Sequence, residues 1–268
     1  MTDTATFHKK YGPWAVIAGA SEGLGAAYAD QLARRGLNVL LIARRESLLQ
    51  ALAGHLKEKY PVEVRTLALD LSIPDAVETI IHNTADLEIG LLVYNAAYSA
   101  VGPFLDHPLG DHLKEIDTNI RTPLALTYHF GQRMLANTHG GIILMASLSA
   151  FQGSAFISNY AATKAFNMLL AEGLWEEWRK QDVDVLVCTA GSVRTPNYLA
   201  SSPKQTGGFS DAALEPEQVV REALGALGRK PHVIPGRSNR LASFVMRHLL
   251  PRRMAIQLMG RVLKDMYG

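Results

Sequence analysis

The 268-residue chain has a single cysteine, Cys188. One thiol closes no intrachain disulfide and builds no cysteine-based metal cluster, which excludes a disulfide-stapled secreted scaffold and a zinc module of that kind. Charge of one sign is also scarce. Twenty-seven Lys and Arg face 25 Asp and Glu, a net charge of +2, too little for a chain-wide nucleic-acid footprint. No apolar run approaches the roughly 18 residues of a membrane span, and positions 1–10 are polar where a secretory leader would carry its apolar segment. A cytoplasmic location is therefore expected. Of the nine histidines, none stands at His-Glu-x-x-His or a comparable ligand spacing, so no metal site is expected.

What is present is the composition of an ordinary folded protein, 48% apolar and 19% charged. At about 150 residues per domain the length accommodates one large domain or two small ones. Short β-type runs at 14–19, 39–43, 62–69, 91–95, 142–147, 183–189 and 232–235 alternate with helical stretches at 24–35, 45–59, 74–84, 113–136, 159–180 and 216–228. This alternation predicts an α/β fold, a doubly wound parallel sheet of the Rossmann type with about seven strands and helices on both faces. No stretch reads as a linker, so residues 1–268 are expected to form a single domain.

The first strand runs into Gly19-Ala-Ser21-Glu-Gly23-Leu24-Gly25 and then directly into a helix. Glycines at such a turn allow a pyrophosphate to approach backbone that a Cβ would obstruct, and the helix start offers free N–H groups with a positive dipole end. The spacing is G-x-x-x-G-x-G. The second strand ends in Arg44 and Arg45, where dinucleotide-binding folds read the adenosine ribose. A guanidinium there suits a 2'-phosphate, favouring NADP(H) over NAD(H), with two solvated arginines opening a helix as the plain alternative. Glu22 in the same turn weighs against a phosphate.

Tyr160 and Lys164 lie four apart in a helical stretch, on one face. An isolated phenol, with a pKa near 10, is a poor proton donor at neutral pH, and a neighbouring ammonium lowers it. Ser147 ends the fifth strand, where open α/β sheets place their ligands, and its hydroxyl can hydrogen-bond a substrate oxygen beside Tyr160. Ser149 competes for that role, and either serine could instead cap the next turn.

Order and spacing together resemble the short-chain dehydrogenases/reductases of the classical type over residues 12–200. The resemblance rests on Gly19, Gly23 and Gly25, Asp70, Asn95-Ala96-Ala97, Asn119, Ser147, Tyr160 with Lys164, and Ala190-Gly191-Ser192-Val193-Arg194-Thr195. Ala18, Ala97 and Ala190 stand where the family usually has Thr, Gly and Pro. The resemblance implies a dinucleotide-binding catalytic domain. In it a hydride passes between nicotinamide and a carbonyl carbon while Tyr160 donates the proton and Ser147 orients the oxygen. Lys164 would lower the tyrosine's pKa and hold the ribose, and Asn119 would position a water leading from Lys164 to solvent. Asp70 with Leu71 would contact adenine, Asn95 and Ala96 would line the ribose, and Val193 and Thr195 would fix the carboxamide. The segments 19–29 and 34–44 are similar to the branch of long-chain β-ketoacyl-CoA reductases and hydroxysteroid dehydrogenases, which implies a bulky apolar carbonyl or alcohol substrate. Tyr98, Phe104, Phe151, Phe156 and Tyr198 are candidate pocket walls, and 194–212 is the expected substrate loop or lid. Pairing of the helices around Asn119 and Tyr160 implies a homodimer or homotetramer. A nucleotide sensor without chemistry is the alternative on the same fold.

Residues 237–268 carry seven cations against Asp265 alone, +6, which leaves −4 for the rest. Apolar positions recur there at helical spacing, interrupted by Pro251, predicting two short amphipathic helices. Three roles stay open for them: a solvated face docked on its own domain, peripheral contact with an anionic membrane, or a lid or subunit contact.

Overall fold

The computed structural model describes residues 4–200 and 213–267; the expected substrate loop lies outside them over 201–212. Seven strands form one sheet: β1 (Trp14–Ala18), β2 (Asn38–Ala43), β3 (Val64–Ala68), β4 (Ile89–Tyr94), β5 (Gly140–Ser147), β6 (Val183–Ala190) and β7 (His232–Val233). Their order is β3-β2-β1-β4-β5-β6-β7, every neighbouring pair parallel. The helices are α1 (Thr4–Tyr11), α2 (Gly23–Ala33), α3 (Glu46–Lys59), α4 (Ala76–Asn83), α5 (Leu109–Ile116), α6 (Thr122–Asn137), α7 (Ser158–Trp178), α8 (Pro196–Ala200), α9 (Pro216–Ala226), α10 (Arg237–Phe244) and α11 (Arg252–Tyr267).

Strands β1, β4 and β6 are buried at every position, which is why they read as mainly apolar runs instead of alternating ones, with Asp184 and Thr189 the polar members of β6. Side chains nevertheless leave opposite faces in turn. Ala15, Ile17, Leu41, Val93, Ile143 and Cys188 meet α2, α3 and α9 in one core layer. Val16, Leu40, Ile42, Leu92, Leu144 and Val187 meet α4, α6 and α7 in the other. Each fully buried Ile, Leu or Val contributes about 1.5–3 kcal/mol of transfer free energy, so the central strands hold the sheet together. The edges are thin: β7 is a two-residue strand, and β3 is buried only at Val64.

Three differences from the sequence reading stand out, and the first two have physical causes. The polar start contains helix α1, held by buried Phe7 and Tyr11 and by the Tyr11 hydroxyl donating to Asp184 Oδ2 at 2.6 Å. The helix expected at 113–136 starts at Leu109 and passes through a π turn, Asp117–Arg121, before α6. Pro123 has no N–H to return to the carbonyl of Asn119, four residues back, and that carbonyl instead accepts from Asn167 Nδ2 at 3.0 Å. The third strand is shorter than 62–69. The two C-terminal helices stand on either side of Pro251 as expected, and Cys188 is fully buried. Among the described residues no helix is long and apolar enough to cross a membrane.

Candidate active site

Strand order reverses between β1 and β4, and the carboxyl ends beside such a reversal are where open α/β sheets have the crevice that binds ligands. The glycine turn lines it. Gly19 has φ +82°, and a Cβ there would meet Ala96 N and Cα at 2.7 Å. Gly23 has φ +57°, and a Cβ there would meet Thr195 Cγ2 at 2.7 Å. At Gly25 a Cβ would run into the carbonyl of Gly19. Asn95 Nδ2 donates to that same carbonyl at 2.9 Å. The loops after β1, β4 and β6 therefore touch through backbone that only glycine leaves open. Helix α2 has no side-chain cap at Glu22, so no capping side chain takes up its first-turn N–H groups, the donors that an anion at a helix start uses. Ser21 and Leu24 are half-buried in this turn.

At the end of β2, Arg45 Nη2 lies 2.7 Å from Glu22 Oε1 and donates to Ser21 Oγ at 3.3 Å. Arg44 beside it is exposed. Asp70 follows β3. Burial works against its charge, but hydrogen bonds from Ser72 N (3.0 Å) and Oγ (2.8 Å), with Lys114 and Arg44 nearby, hold its carboxyl below the usual range. The Leu71 side chain is in the core and its carbonyl accepts from Thr122 Oγ1 at 2.8 Å.

The second group of predicted residues gathers where α7 packs on β5 and the turn after it. Lys164 is buried, with Nζ 5.6 Å from the Tyr160 ring centroid and donating to the Met145 carbonyl at 3.0 Å. Burial pulls its pKa down from 10.5 to about 8. Ser147 is half-buried at the last position of β5, and its Oγ accepts from Ser149 N at 3.3 Å. That capping bond leaves the Ser147 hydroxyl proton to donate elsewhere. Ser149, the competing serine, is buried, and its Oγ has no partner among the described residues.

Asn119 is fully buried in the π turn. Its Oδ1 accepts from Tyr98 N at 2.9 Å, and its Nδ2 donates to Tyr98 O at 2.8 Å and Thr163 Oγ1 at 3.0 Å. The side chain is thus a clamp between the loop after β4 and α7. Val193 is buried and bridges Leu214, and Thr195 Oγ1 accepts from Tyr198 N at 3.2 Å. Sequence reading missed Glu115, Asn159 and Thr163, which complete this clamp; Pro123, inside a helical run, was the one signal that the backbone departs from a regular helix here.

The candidate pocket walls separate. Phe104 is exposed and stacks on His112 with centroids 4.2 Å apart, and the Tyr98 hydroxyl donates to Asp111 Oδ1 at 3.2 Å. Phe156 sits at φ +65°. Phe151 is covered by the C-terminal segment: the Arg247 guanidinium lies 4.5 Å from its ring centroid and Arg252 Nη1 donates to its carbonyl at 2.9 Å.

A family model described as short chain dehydrogenase matches residues 13–206. The chain is 35% identical over 237 residues to a 7beta-hydroxysteroid dehydrogenase of Mediterraneibacter gnavus, covering 88% of this chain and 90% of the relative. It is 36% identical over 204 residues to the very-long-chain 3-oxoacyl-CoA reductase of Homo sapiens, covering 72% of this chain and 65% of that protein. A structure solved in a study of 7beta-hydroxysteroid dehydrogenase stereoselectivity superposes with a TM-score of 0.89 at 33% identity, covering 94% of this chain and 98% of that one.

Proposed function

The chain belongs to the short-chain dehydrogenase/reductase family and is an oxidoreductase, and from that premise we propose an NADP(H)-dependent enzyme that interconverts a bulky apolar ketone and its secondary alcohol. The observation that carries this reading is the buried Lys164 ammonium under the Tyr160 ring. A cation held in a dry site lowers the pKa of an adjacent phenol far more than one in water.

The cradle fits a dinucleotide: three glycines stand where any Cβ would collide, beside uncapped helix N–H groups and the exposed Arg44. When bound, the nicotinamide supplies or takes the hydride at the carbonyl carbon. Tyr160 gives its proton to the carbonyl oxygen, Lys164 stabilises the phenolate left behind, and Ser147 donates a hydrogen bond that orients that oxygen. Asn119 fixes the Tyr98 backbone, and Asp70, Leu71, Asn95, Ala96, Val193 and Thr195 shape the walls for adenine, ribose and carboxamide. Arg44 pairs with a 2'-phosphate.

The names of the relatives support a steroid or long-chain ketoacyl substrate. Residues 1–268 act as one catalytic domain in the cytoplasm, with 194–212 as the substrate loop. The exposed stripe of Leu124 and Tyr128 on α6 and Leu169 on α7 supports pairing with a second copy. The basic tail contributes a wall at Phe151 and presents Arg253, Arg261 and Lys264 to anionic lipid.

The test is turnover of ketosteroids, long-chain β-ketoacyl esters and small ketones, followed by NADPH consumption. Tyr160→Phe is expected to lower kcat by about 10²–10⁴-fold with cofactor binding intact. Unchanged turnover would overturn the mechanism, and a wild-type protein that binds cofactor but turns over no carbonyl would instead be a sensor.

A further inference from the structure

Glu115 lies in the last turn of α5, with no exposed surface. Its Oε1 accepts from Ala100 N at 2.7 Å, and its Oε2 accepts from Asn159 Nδ2. Asn159 Nδ2 also donates to the His112 carbonyl at 3.0 Å. One helical turn further on, Asn119 repeats the pattern, holding Tyr98 N and O on one side and Thr163 Oγ1 on the other. Two rungs thus cross from the loop after β4, one through α5 and one through the π turn after it, to α7. On α7 their ends, Asn159 and Thr163, immediately precede Tyr160 and Lys164.

A carboxylate at this depth is costly. The groups facing it from its own helix are His112, with Nδ1 4.0 Å away, and Asp111, which accepts from the Tyr98 hydroxyl. Lys114 is turned to Asp70, 3.6 Å away, and to the Tyr98 ring. His107 stands beyond His112, ring centroids 6.2 Å apart. No lysine or arginine pairs with Glu115 among the described residues, so charge balance does not explain it. Its two neighbours do. Both Ala100 N–H and the Asn159 amide present donors, and a side chain of this length satisfies two donors only if it carries an acceptor at each end. Glutamine would set its own NH₂ against one of them.

We propose that Glu115 is a positioning residue: it ties the start of α7, and so Tyr160, to the 98–100 segment on the substrate side of the crevice. This rests on the assignment of Tyr160 as proton donor. The burial that keeps the carboxylate dry raises its pKa and makes the paired donors geometrically demanding.

The test compares Glu115→Gln, Asn159→Ala, the double variant and Tyr160→Phe in the full chain. A displaced proton donor costs rate, and kcat is expected to fall about ten-fold in each of the first two. The dissociation constant for NADPH stays within about two-fold, because the glycine turn and Arg44 are elsewhere. Both changes break the Glu115–Asn159 bond they share, so the double variant should match the worse single, and the limb of the kcat–pH profile reporting the Tyr160 proton should move in all three. A merely structural role would lower Tm while leaving kcat per cofactor-binding molecule and the pH profile at wild-type values; that result, or multiplying effects, overturns the proposal. If Glu115→Gln does not fold, Asn159→Ala alone decides. Loss of turnover in Tyr160→Phe with wild-type kcat in the other variants sinks the positioning role only, whereas turnover surviving in Tyr160→Phe sinks the assignment beneath it.

Discussion

Arg45 Nη2 sits 2.7 Å from Glu22 Oε1, so of two adjacent, exposed arginines the second is ion-paired to the glycine turn. The pairing resolves a tension visible in the sequence, where Glu22 stood against a phosphate at this end of the crevice. Glu22 acts on Arg45, and the proposed 2'-phosphate contact falls to Arg44.

Arg44→Ala should therefore weaken NADPH binding by about ten-fold or more, the scale of one charge-assisted hydrogen-bond pair, and leave NADH nearly unaffected. Arg45→Ala should do less, and Glu22→Gln should tighten NADPH by freeing Arg45. Fluorescence titration of both cofactors against the three variants checks the order. Equal losses for NADPH and NADH in Arg44→Ala would refute a phosphate contact.

Lys164 carries a second prediction, on stability. Its fall from 10.5 to about 8 corresponds to roughly 3 kcal/mol of cost for holding the ammonium in the cofactor-free fold at neutral pH. Between those two pH values the unfolded chain binds more protons at this site than the folded one, so wild-type stability gains with rising pH. Lys164→Met removes that dependence and strands the Met145 carbonyl, a penalty that does not vary with pH. The difference in Tm, variant minus wild type, should thus be most favourable to the variant below pH 8 and shrink steadily toward pH 10.5. A flat difference across that window would show that the ammonium is not held in a dry site.

The central strands were legible because burial on both faces makes β1 and β4 apolar throughout and β6 apolar but for Asp184 and Thr189. The glycine turn and the Tyr160–Lys164 spacing were legible because each needs particular residue types at fixed separations. Helix α1 was not: Phe7 and Tyr11 are one i, i+4 pair in a polar octet, and what stabilises it is Asp184, 173 positions away. Glu115 was invisible for a related reason. A lone acid in a helix reads as a solvated face, and only the approach of Ala100 and Asn159 makes it an interior acceptor. The π turn at Asn119 leaves no periodic trace, since one extra residue shifts the register without breaking the apolar pattern. The aromatics proposed as pocket walls were chosen by type, and three-dimensional packing sorted them: Phe151 lies under Arg247 and Phe104 stacks on the outside.

Cys188 yields a simpler expectation. It is fully buried in β6, and desolvation pushes its thiol up to about 12, so almost no thiolate exists at neutral pH. Alkylation by iodoacetamide should be negligible in the native protein and rapid in denaturant, read by mass spectrometry. Fast native labelling would contradict the packing of this strand against α2.

Two groups of the tail's cations differ in what they touch, and Arg240 belongs to neither, its Nη1 pairing with Glu222 Oε2 at 2.9 Å. All five others named here are exposed, but Arg247 and Arg252 contact Phe151, in the segment that follows Ser147, whereas Arg253, Arg261 and Lys264 lie on α11, which also exposes Met254, Ile256 and Leu258. Two separable effects follow. Removing the inner pair, Arg247→Ala with Arg252→Ala, should raise KM for a bulky ketone several-fold and leave a small ketone and NADPH unchanged, because only a large substrate reaches Phe151. Removing the outer three should leave KM alone. At about 1 kcal/mol per cation near an anionic surface, it should weaken co-sedimentation with phosphatidylserine vesicles by roughly a hundred-fold, and added salt should weaken the wild type in the same way. If the outer variant sediments like wild type, the exposed face contacts something other than anionic lipid. If the inner pair changes sedimentation but not KM, Phe151 is not a substrate wall, and the contact serves only to hold the helix in place.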